Sequence, residues 1–227
     1  MTDWAESVLK DANVRVAVIA RRGHVLAKLV ERSGMTHMAF VLKDPTTGAW
    51  TTVGLYSDPA TGQKTALLWR QELADFYAEQ PNQLKESEIL IPKPEVQEAL
   101  WRHLTADDWP TLLPAGHRYN LVAPVESPVS LNCTKWLALQ MLAARTGETT
   151  LASLVSELPA VLHPPRIKAG PLLTWYLRRK PDVTWSELTP PGVIHTVTAE
   201  SLKDSGWMTR VVDYPHPASA LPRPPSP

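Results

Sequence analysis

The first sixty residues alternate between two periodicities of apolar side chains. In "DWAESVLKDA" (3–12) the spacing of Trp4, Val8 and Leu9 predicts a helix, and the β-branched run "VRVAVIA" (14–20) predicts a buried strand. The stretches "THMAFVLKD" and "AWTTVGLYSD" alternate on either side of the turn residues 44–48. The pattern therefore predicts a helix, a strand and then a β-hairpin.

The middle of the chain mixes helical and extended patterns without a regular strand–helix–strand rhythm. Apolar spacing predicts helices in "LLWRQELADFYAEQ" (67–80) and "PEVQEALWRHL" (94–104), with a strand "SEILIP" between them. The clearest helix follows Cys133, since Trp136, Leu137 and Met141 share one face and Gly147 closes it. These elements predict an α+β fold, in which an antiparallel sheet packs on the helix that carries the cysteine at its N-terminus.

Length and proline content set the domain organisation. With 227 residues, of which 44% are hydrophobic, we expect a single domain over 1–213 with its core in 14–145. Proline is dense after Gly147, so residues 148–213 are expected to wrap the core irregularly, with short helices at "LLTWYLRR" and "AESLKDSG" and a last strand at "WMTRVVDY". Residues 214–227 are expected to form a proline-rich disordered tail that is either a linker or a docking ligand for a protein partner.

Charge and cysteine content exclude several function classes. Lys plus Arg equals Asp plus Glu at 23 each, so we expect no nucleic-acid partner, and no apolar run reaches the roughly 20 residues of a transmembrane helix. One cysteine makes neither an internal disulfide nor a structural zinc site, and we predict no cofactor or metal. The N-terminus lacks the basic start of a signal peptide, so the expected compartment is the cytoplasm, or the periplasm or exterior if a leader has been removed.

The single cysteine lies where a helix begins. Ser130 or Asn132 offers a side-chain cap, and Cys133 falls in the first helical turn. The positive end of a helix favours thiolate over thiol and lowers a cysteine pKa, which predicts a nucleophile. Free cysteine is also among the most buried residue types, and the helix position alone leaves a purely structural role open.

A nucleophilic thiol needs a base, and His37 is the best-placed histidine. It begins the run "THMAFVL", so its imidazole is expected at the end of a strand. A structural histidine at a strand end is the alternative, and His117 in the loop "AGHRYN" is a reserve.

The order of these motifs resembles a known superfamily. "VAVIARRG", "THMAFVL", "AWTTVGLY", "YNLVAP" and "SLNCTKWLALQMLAA" occur over residues 14–145 in the order of an uncharacterised bacterial domain-of-unknown-function family. That family is similar to the permuted papain-like, NlpC-type and lecithin:retinol acyltransferase-like enzymes, in which the histidine precedes the cysteine. The resemblance implies a permuted papain-like core.

The resemblance also implies a cysteine-dependent hydrolase or acyltransferase. Cys133 would form an acyl-enzyme with His37 as general base, on an amide, ester or thioester of a peptide, cell-wall or acyl-lipid substrate. The family pattern places a polar residue at Gly54, which has no side chain, so Tyr56 is the candidate to orient His37. If nothing orients the imidazole, the alternative is a non-catalytic binding module on the same fold.

Four further residues are candidates for substrate binding. Arg21 in "ARRG" is suited to an acidic group, with a solvated strand end as the alternative. Tyr119 and Asn120 precede the cysteine helix and are expected in the cleft, although a turn explains Asn120 equally well. Asn132 is expected to be a cap or cleft residue, because an amide does not titrate.

Overall fold

A computed structural model describes residues 1–22, 34–78, 86–106 and 117–215. These residues form seven α-helices and ten strands. The helices are α1 (Thr2–Asp11), α2 (Leu73–Ala78), α3 (Pro94–Thr105), α4 (Cys133–Thr146), α5 (Leu151–Leu162), α6 (Pro171–Leu177) and α7 (Ala199–Asp204). The strands are β1 (Val16–Arg22), β2 (Met35–Lys43), β3 (Trp50–Ser57), β4 (Ala66–Glu72), β5 (Ser87–Pro92), β6 (Arg118–Tyr119), β7 (Ser130–Leu131), β8 (Arg166–Lys168), β9 (Val193–His195) and β10 (Met208–Asp213).

The centre of the fold is a six-stranded antiparallel sheet in the order β10-β5-β1-β2-β3-β4. The predicted hairpin is β2 and β3, in which Phe40 pairs with Val53. β1 pairs with β2 until an irregularity after Arg21, where Arg21 faces His37 and Arg22 faces Met35, so Thr36 is an extra residue in β2. The predicted α+β class with an antiparallel sheet is confirmed.

Each face of the sheet has its own apolar core. On one face α3, α4, α5 and α7 pack over Val18, Phe40 and Leu55, with Trp136 of α4 edge-on to Phe40 at 5.7 Å between ring centroids. On the other face α1 and α2 pack over Ile19, Ala39 and Val41. Alternate side chains of β2 therefore belong to different cores, and a residue's position in the strand decides which helices it meets.

Two sequence predictions fail in particular places. Residues 66–72 are not helical but form the edge strand β4, because they pair along β3, as in Gly54 opposite Trp69. Within the stretch 67–80, the helical spacing of apolar residues corresponds to a helix only in α2. The irregular wrap predicted after Gly147 begins instead with α5, whose residues Leu154, Leu158 and Leu162 are buried at helical spacing despite Pro159 inside the helix.

The rest of the proline-rich region carries a third, small apolar cluster. Leu173 and Leu177 of α6 pack there with Val122, Leu188 and Ile194. β8 and β9 form a two-stranded antiparallel sheet beside it. The predicted short helix at "LLTWYLRR", the final helix and the final strand are present as α6, α7 and β10. Most of the predicted tail (216–227) lies outside the described residues.

Candidate functional site

Asn132 fixes where the cysteine helix begins. Its extended backbone makes it the cap, and its side-chain oxygen accepts a hydrogen bond from the Lys135 backbone N–H at 2.8 Å. Its Nδ2 donates to the Leu121 carbonyl and to Thr196 Oγ1, each at 3.0 Å. Asn132 is therefore fully used as a cap and cross-link, and Cys133 is the first residue of α4.

The thiol of Cys133 is enclosed. The residue is 2% exposed, and Sγ donates to the Thr36 carbonyl oxygen at 3.6 Å. Burial raises the pKa of Cys133, and hydrogen bonds, the largest of them with the Met38 backbone, oppose this only in part. The expected activation by the helix N-terminus is thus outweighed by desolvation, and the sulfur is a thiol at neutral pH.

His37 lies on the opposite face of β2. Its neighbours Met38 and Phe40 belong to the core beneath α4, together with Cys133, whereas Ala39 belongs to the core beneath α2. The imidazole stacks on Phe76 of that second core, with ring centroids 5.5 Å apart and planes at 20°. Cys133 and His37 therefore make no hydrogen bond to each other in the described structure, and their catalytic pairing stays a prediction.

The surroundings of His37 also make it a weak base. Burial, followed by the positive charge of Arg21, lowers the pKa of His37 to about 3. Nε2 is shielded from solvent and has no hydrogen-bond partner among the described residues. An imidazole with so low a pKa has little tendency to take a proton from a thiol at neutral pH.

Tyr119 is the residue that lies beside the sulfur. Its hydroxyl is buried next to Cys133, and burial, followed by the charges of Cys133 and Asp182, raises the pKa of Tyr119 well above its ordinary value. Tyr56 is close enough to contribute in the same direction. Tyr119 is only 6% exposed, so it fills the space beside the thiol where the sequence predicted an open cleft.

Tyr56 reaches His37, as the hairpin register predicts. Its ring centroid lies 4.6 Å from that of His37, and its hydroxyl accepts a hydrogen bond from Gln71 Nε2 at 2.7 Å. Gly54 is on the same face, and a Cβ there would come within 3.1 Å of the Tyr56 ring and 3.2 Å of Ala39 Cβ. Tyr56 thus occupies the place of a larger side chain at position 54 and packs against the imidazole of His37.

Asn120 and Arg21 have internal partners. Asn120 is fully buried, donates from Nδ2 to Glu187 at 2.9 Å and accepts from the backbone N–H of Thr184 at 3.1 Å. Its amide therefore cross-links the segment before α4 to residues 184 and 187. Arg21 is 3% exposed, with its guanidinium 4.8 Å from the Phe76 ring centroid, so the solvated strand end considered from the sequence is wrong.

Sequence reasoning missed the buried cation next to the cysteine. Lys135 is 0% exposed, and its Nζ donates to the carbonyls of Pro124 at 2.7 Å and Ser130 at 3.0 Å and also to that of Ser127. The ammonium holds the loop before α4 in shape. The sequence does contain an indication, because Lys135 directly precedes the core residue Trp136 in a first helical turn whose other residues are apolar or small.

An exposed aromatic surface was also missed, because residues 67–80 were assigned to one helix. Trp69 of β4 is 49% exposed and lies edge-on to Tyr56 at 5.7 Å. Tyr56 in turn contacts the partly exposed His37. We call Trp69, Tyr56 and His37 the aromatic surface; Leu67, 40% exposed, lies on the same side of β4.

Three comparisons bear on what the chain is similar to. The model of a family described as uncharacterized protein conserved in bacteria (DUF2145) matches residues 8–174. No curated protein and no solved structure matches the chain. Within the described residues, no group of three His, Cys, Asp or Glu side chains is arranged to hold a metal ion, and no helix has the length and apolar character to span a bilayer.

Proposed function

We propose, from the premise that the chain belongs to the DUF2145 family of bacterial proteins, that it is a non-catalytic binding module on a permuted papain-like core. One observation carries the proposal: Cys133 and His37 occupy opposite faces of β2. The antiparallel sheet packed on the cysteine-bearing helix α4 is the feature that supports the papain-like core.

Two properties of the cysteine centre support the absence of catalysis. The thiol has a raised pKa and is 2% exposed, so it offers neither a thiolate nor access to a carbonyl carbon. The neighbouring hydroxyl belongs to Tyr119, whose pKa is raised well above its ordinary value, so it cannot act as a base at neutral pH. The centre is better suited to holding α4 against the sheet than to forming an acyl-enzyme.

The aromatic surface is the proposed binding site. Half of Trp69 is exposed, and its indole is braced by Tyr56, so ligand contact costs little side-chain entropy. Gln71 holds the Tyr56 hydroxyl at 2.7 Å, and the charge of Arg21 acts on His37. A half-exposed indole held in place by Tyr56 suits stacking on a sugar ring or packing on a peptide unit, and we propose bacterial cell-wall peptidoglycan as the ligand.

Co-sedimentation with isolated peptidoglycan sacculi tests this function. We expect the wild type to sediment and Trp69→Ala to lose at least about tenfold in affinity, equivalent to about 1.4 kcal/mol of aromatic contact. Trp175→Ala is the matched control, because it removes a tryptophan that is 53% exposed on α6, and it should bind as the wild type does. Equal binding of Trp69→Ala and wild type, or no binding by the wild type, contradicts the proposal.

The competing function is the cysteine hydrolase or acyltransferase with Cys133 as nucleophile and His37 as base. The position of Cys133 in the first turn of α4 favours it. Turnover of peptide, ester and thioester substrates by the wild type, with loss of turnover in both Cys133→Ser and His37→Ala at unchanged melting temperature, would establish the hydrolase and exclude the binding module. We expect no turnover above that of the Cys133→Ser variant.

A further inference from the structure

Helix α6 presents an apolar pair to solvent. Leu173 and Leu177 point into the third apolar cluster, which fixes the orientation of the helix. Leu172 and Trp175, three residues apart and therefore on one side of the helix, are 60% and 53% exposed. Among the large apolar side chains of the described residues, these two are the most exposed. Exposing them to water is unfavourable, and no packing contact among the described residues explains it.

Arginines adjoin this apolar pair. The Arg179 guanidinium lies 4.0 Å from the Trp175 ring centroid, and Arg178 lies 5.5 Å from that of Trp185. Both arginines are exposed, and neither forms an ion pair with any residue the structure describes. Lys180 follows directly in the chain and Lys168 precedes the helix, so the local charge is positive although the formal charge of the whole chain is zero.

A shallow hollow connects the charged and apolar parts. It has a volume of about 540 Å³ and is lined by Ala169, Pro171, Thr174, Trp175, Arg178 and Arg179. Two guanidinium groups at a hollow open to solvent suit a phosphate ester, because arginine binds phosphate oxygens with paired N–H donors. We call Leu172, Trp175, Arg178 and Arg179 the α6 surface.

We propose that the α6 surface docks on a membrane of anionic phospholipids, with Leu172 and Trp175 at the level of the headgroups and the two arginines on lipid phosphates. Exposed leucine and tryptophan beside arginine is the composition of interfacial helices, which lie in the plane of the bilayer. Charge complementarity specifies anionic lipid, since juxtamembrane arginines gain binding energy from a negative leaflet. An acidic protein or a nucleic acid would pair with the arginines but would give Leu172 no apolar surroundings.

Vesicle co-sedimentation tests the proposal on the full chain. The probes are vesicles of phosphatidylcholine alone and vesicles in which about one third of the lipid is phosphatidylglycerol. We expect binding to the anionic vesicles only, and a loss of at least about fivefold in partitioning for the double variants Leu172→Ser/Trp175→Ser and Arg178→Glu/Arg179→Glu. Val129→Ser is the matched control and should partition as the wild type does, because Val129 is 52% exposed and lies outside the α6 surface.

Every result of the vesicle experiment either supports or overturns the proposal. All four substituted residues are exposed, so both double variants should keep the wild-type melting temperature, and this is measured first. The proposal is overturned if the wild type stays in solution, if it binds neutral vesicles equally well, or if the Leu172→Ser/Trp175→Ser variant binds anionic vesicles undiminished. Binding of the wild type to an acidic protein or RNA in place of vesicles would overturn it as well. The sacculus experiment uses Trp69, so failure of the two proposals is distinguishable.

Discussion

Lys135→Met removes the cation that shapes the loop before the cysteine helix. Methionine keeps the unbranched apolar stem within the core, while the carbonyls of Pro124, Ser127 and Ser130 lose their common donor. The Pro124 carbonyl keeps the Ser127 backbone N–H as a donor, so the loss falls mainly on the carbonyls of Ser127 and Ser130, at about 1–2 kcal/mol each. The desolvation of the ammonium, which the variant no longer suffers, offsets part of this. We expect the free energy of unfolding to fall by about 2–3 kcal/mol.

Denaturant unfolding measures this change directly, and a fall of that size lowers the melting temperature of a chain of this length by roughly 5–10 °C. Lys10→Met is the matched control, because Lys10 is exposed in the last turn of α1, and we expect it to change stability by less than about 0.5 kcal/mol. A Lys135→Met variant as stable as Lys10→Met would refute the assignment of Lys135 as the residue that holds the loop. Burial lowers the pKa of Lys135 to about 7, and the three carbonyl acceptors around Nζ favour the ammonium over the neutral amine.

Two further predictions concern the cap of α4, Asn132, and the imidazole of His37. Asn132→Ala removes the helix cap and two further hydrogen bonds, and we expect a loss of about 2–3 kcal/mol by denaturant unfolding. Ser7→Ala, an exchange at an exposed position of α1, should not reproduce it. For His37, the pKa in the folded protein is about 3 against an ordinary 6.5, so folding favours the neutral ring and its contribution to stability is lost as pH falls below 6.5 toward 3. We expect wild-type stability to fall by about 2 kcal/mol more than that of His37→Phe between about pH 6.5 and about pH 4.5; parallel pH profiles would show that His37 is not buried neutral.

The elements with strong local signals could be predicted from the sequence. α4 has a cap at Asn132, a buried apolar face and a left-handed Gly147 at its end, and each of these can be recognised in the sequence. The β2–β3 hairpin follows from alternation around the turn at 44–48, and counting from that turn places Tyr56 beside His37, where the two rings do meet.

The arrangement of the site could not be predicted in the same way, because it depends on which face of β2 each side chain takes and on how deeply that side chain is buried. Thr36 is an extra residue in β2, and the face that His37 takes is set by its pairing with Arg21 and its stacking on Phe76, neither of which has a signature in the sequence. The helix N-terminus correctly indicated a force that lowers the pKa of Cys133. The larger effect, desolvation beside Tyr119 and the sheet, comes from tertiary packing.

β4 shows why an edge strand is hard to recognise. Most of its side chains are half-buried or exposed, so no apolar alternation marks it, and it is held by backbone pairing with β3. α5 shows the opposite case, in which a proline within a helix hides a regular apolar face.

The reactivity of Cys133 toward iodoacetamide tests the central claim most directly. A protonated, enclosed thiol reacts only when the structure opens, and opening that costs about 4 kcal/mol slows alkylation at neutral pH by roughly a thousandfold relative to the unfolded chain. We predict this protection for the wild type at pH 6–7, measured by mass spectrometry over time, and its removal by denaturant. Alkylation of the folded protein faster than that of the unfolded chain would reveal an accessible thiolate and would contradict the account.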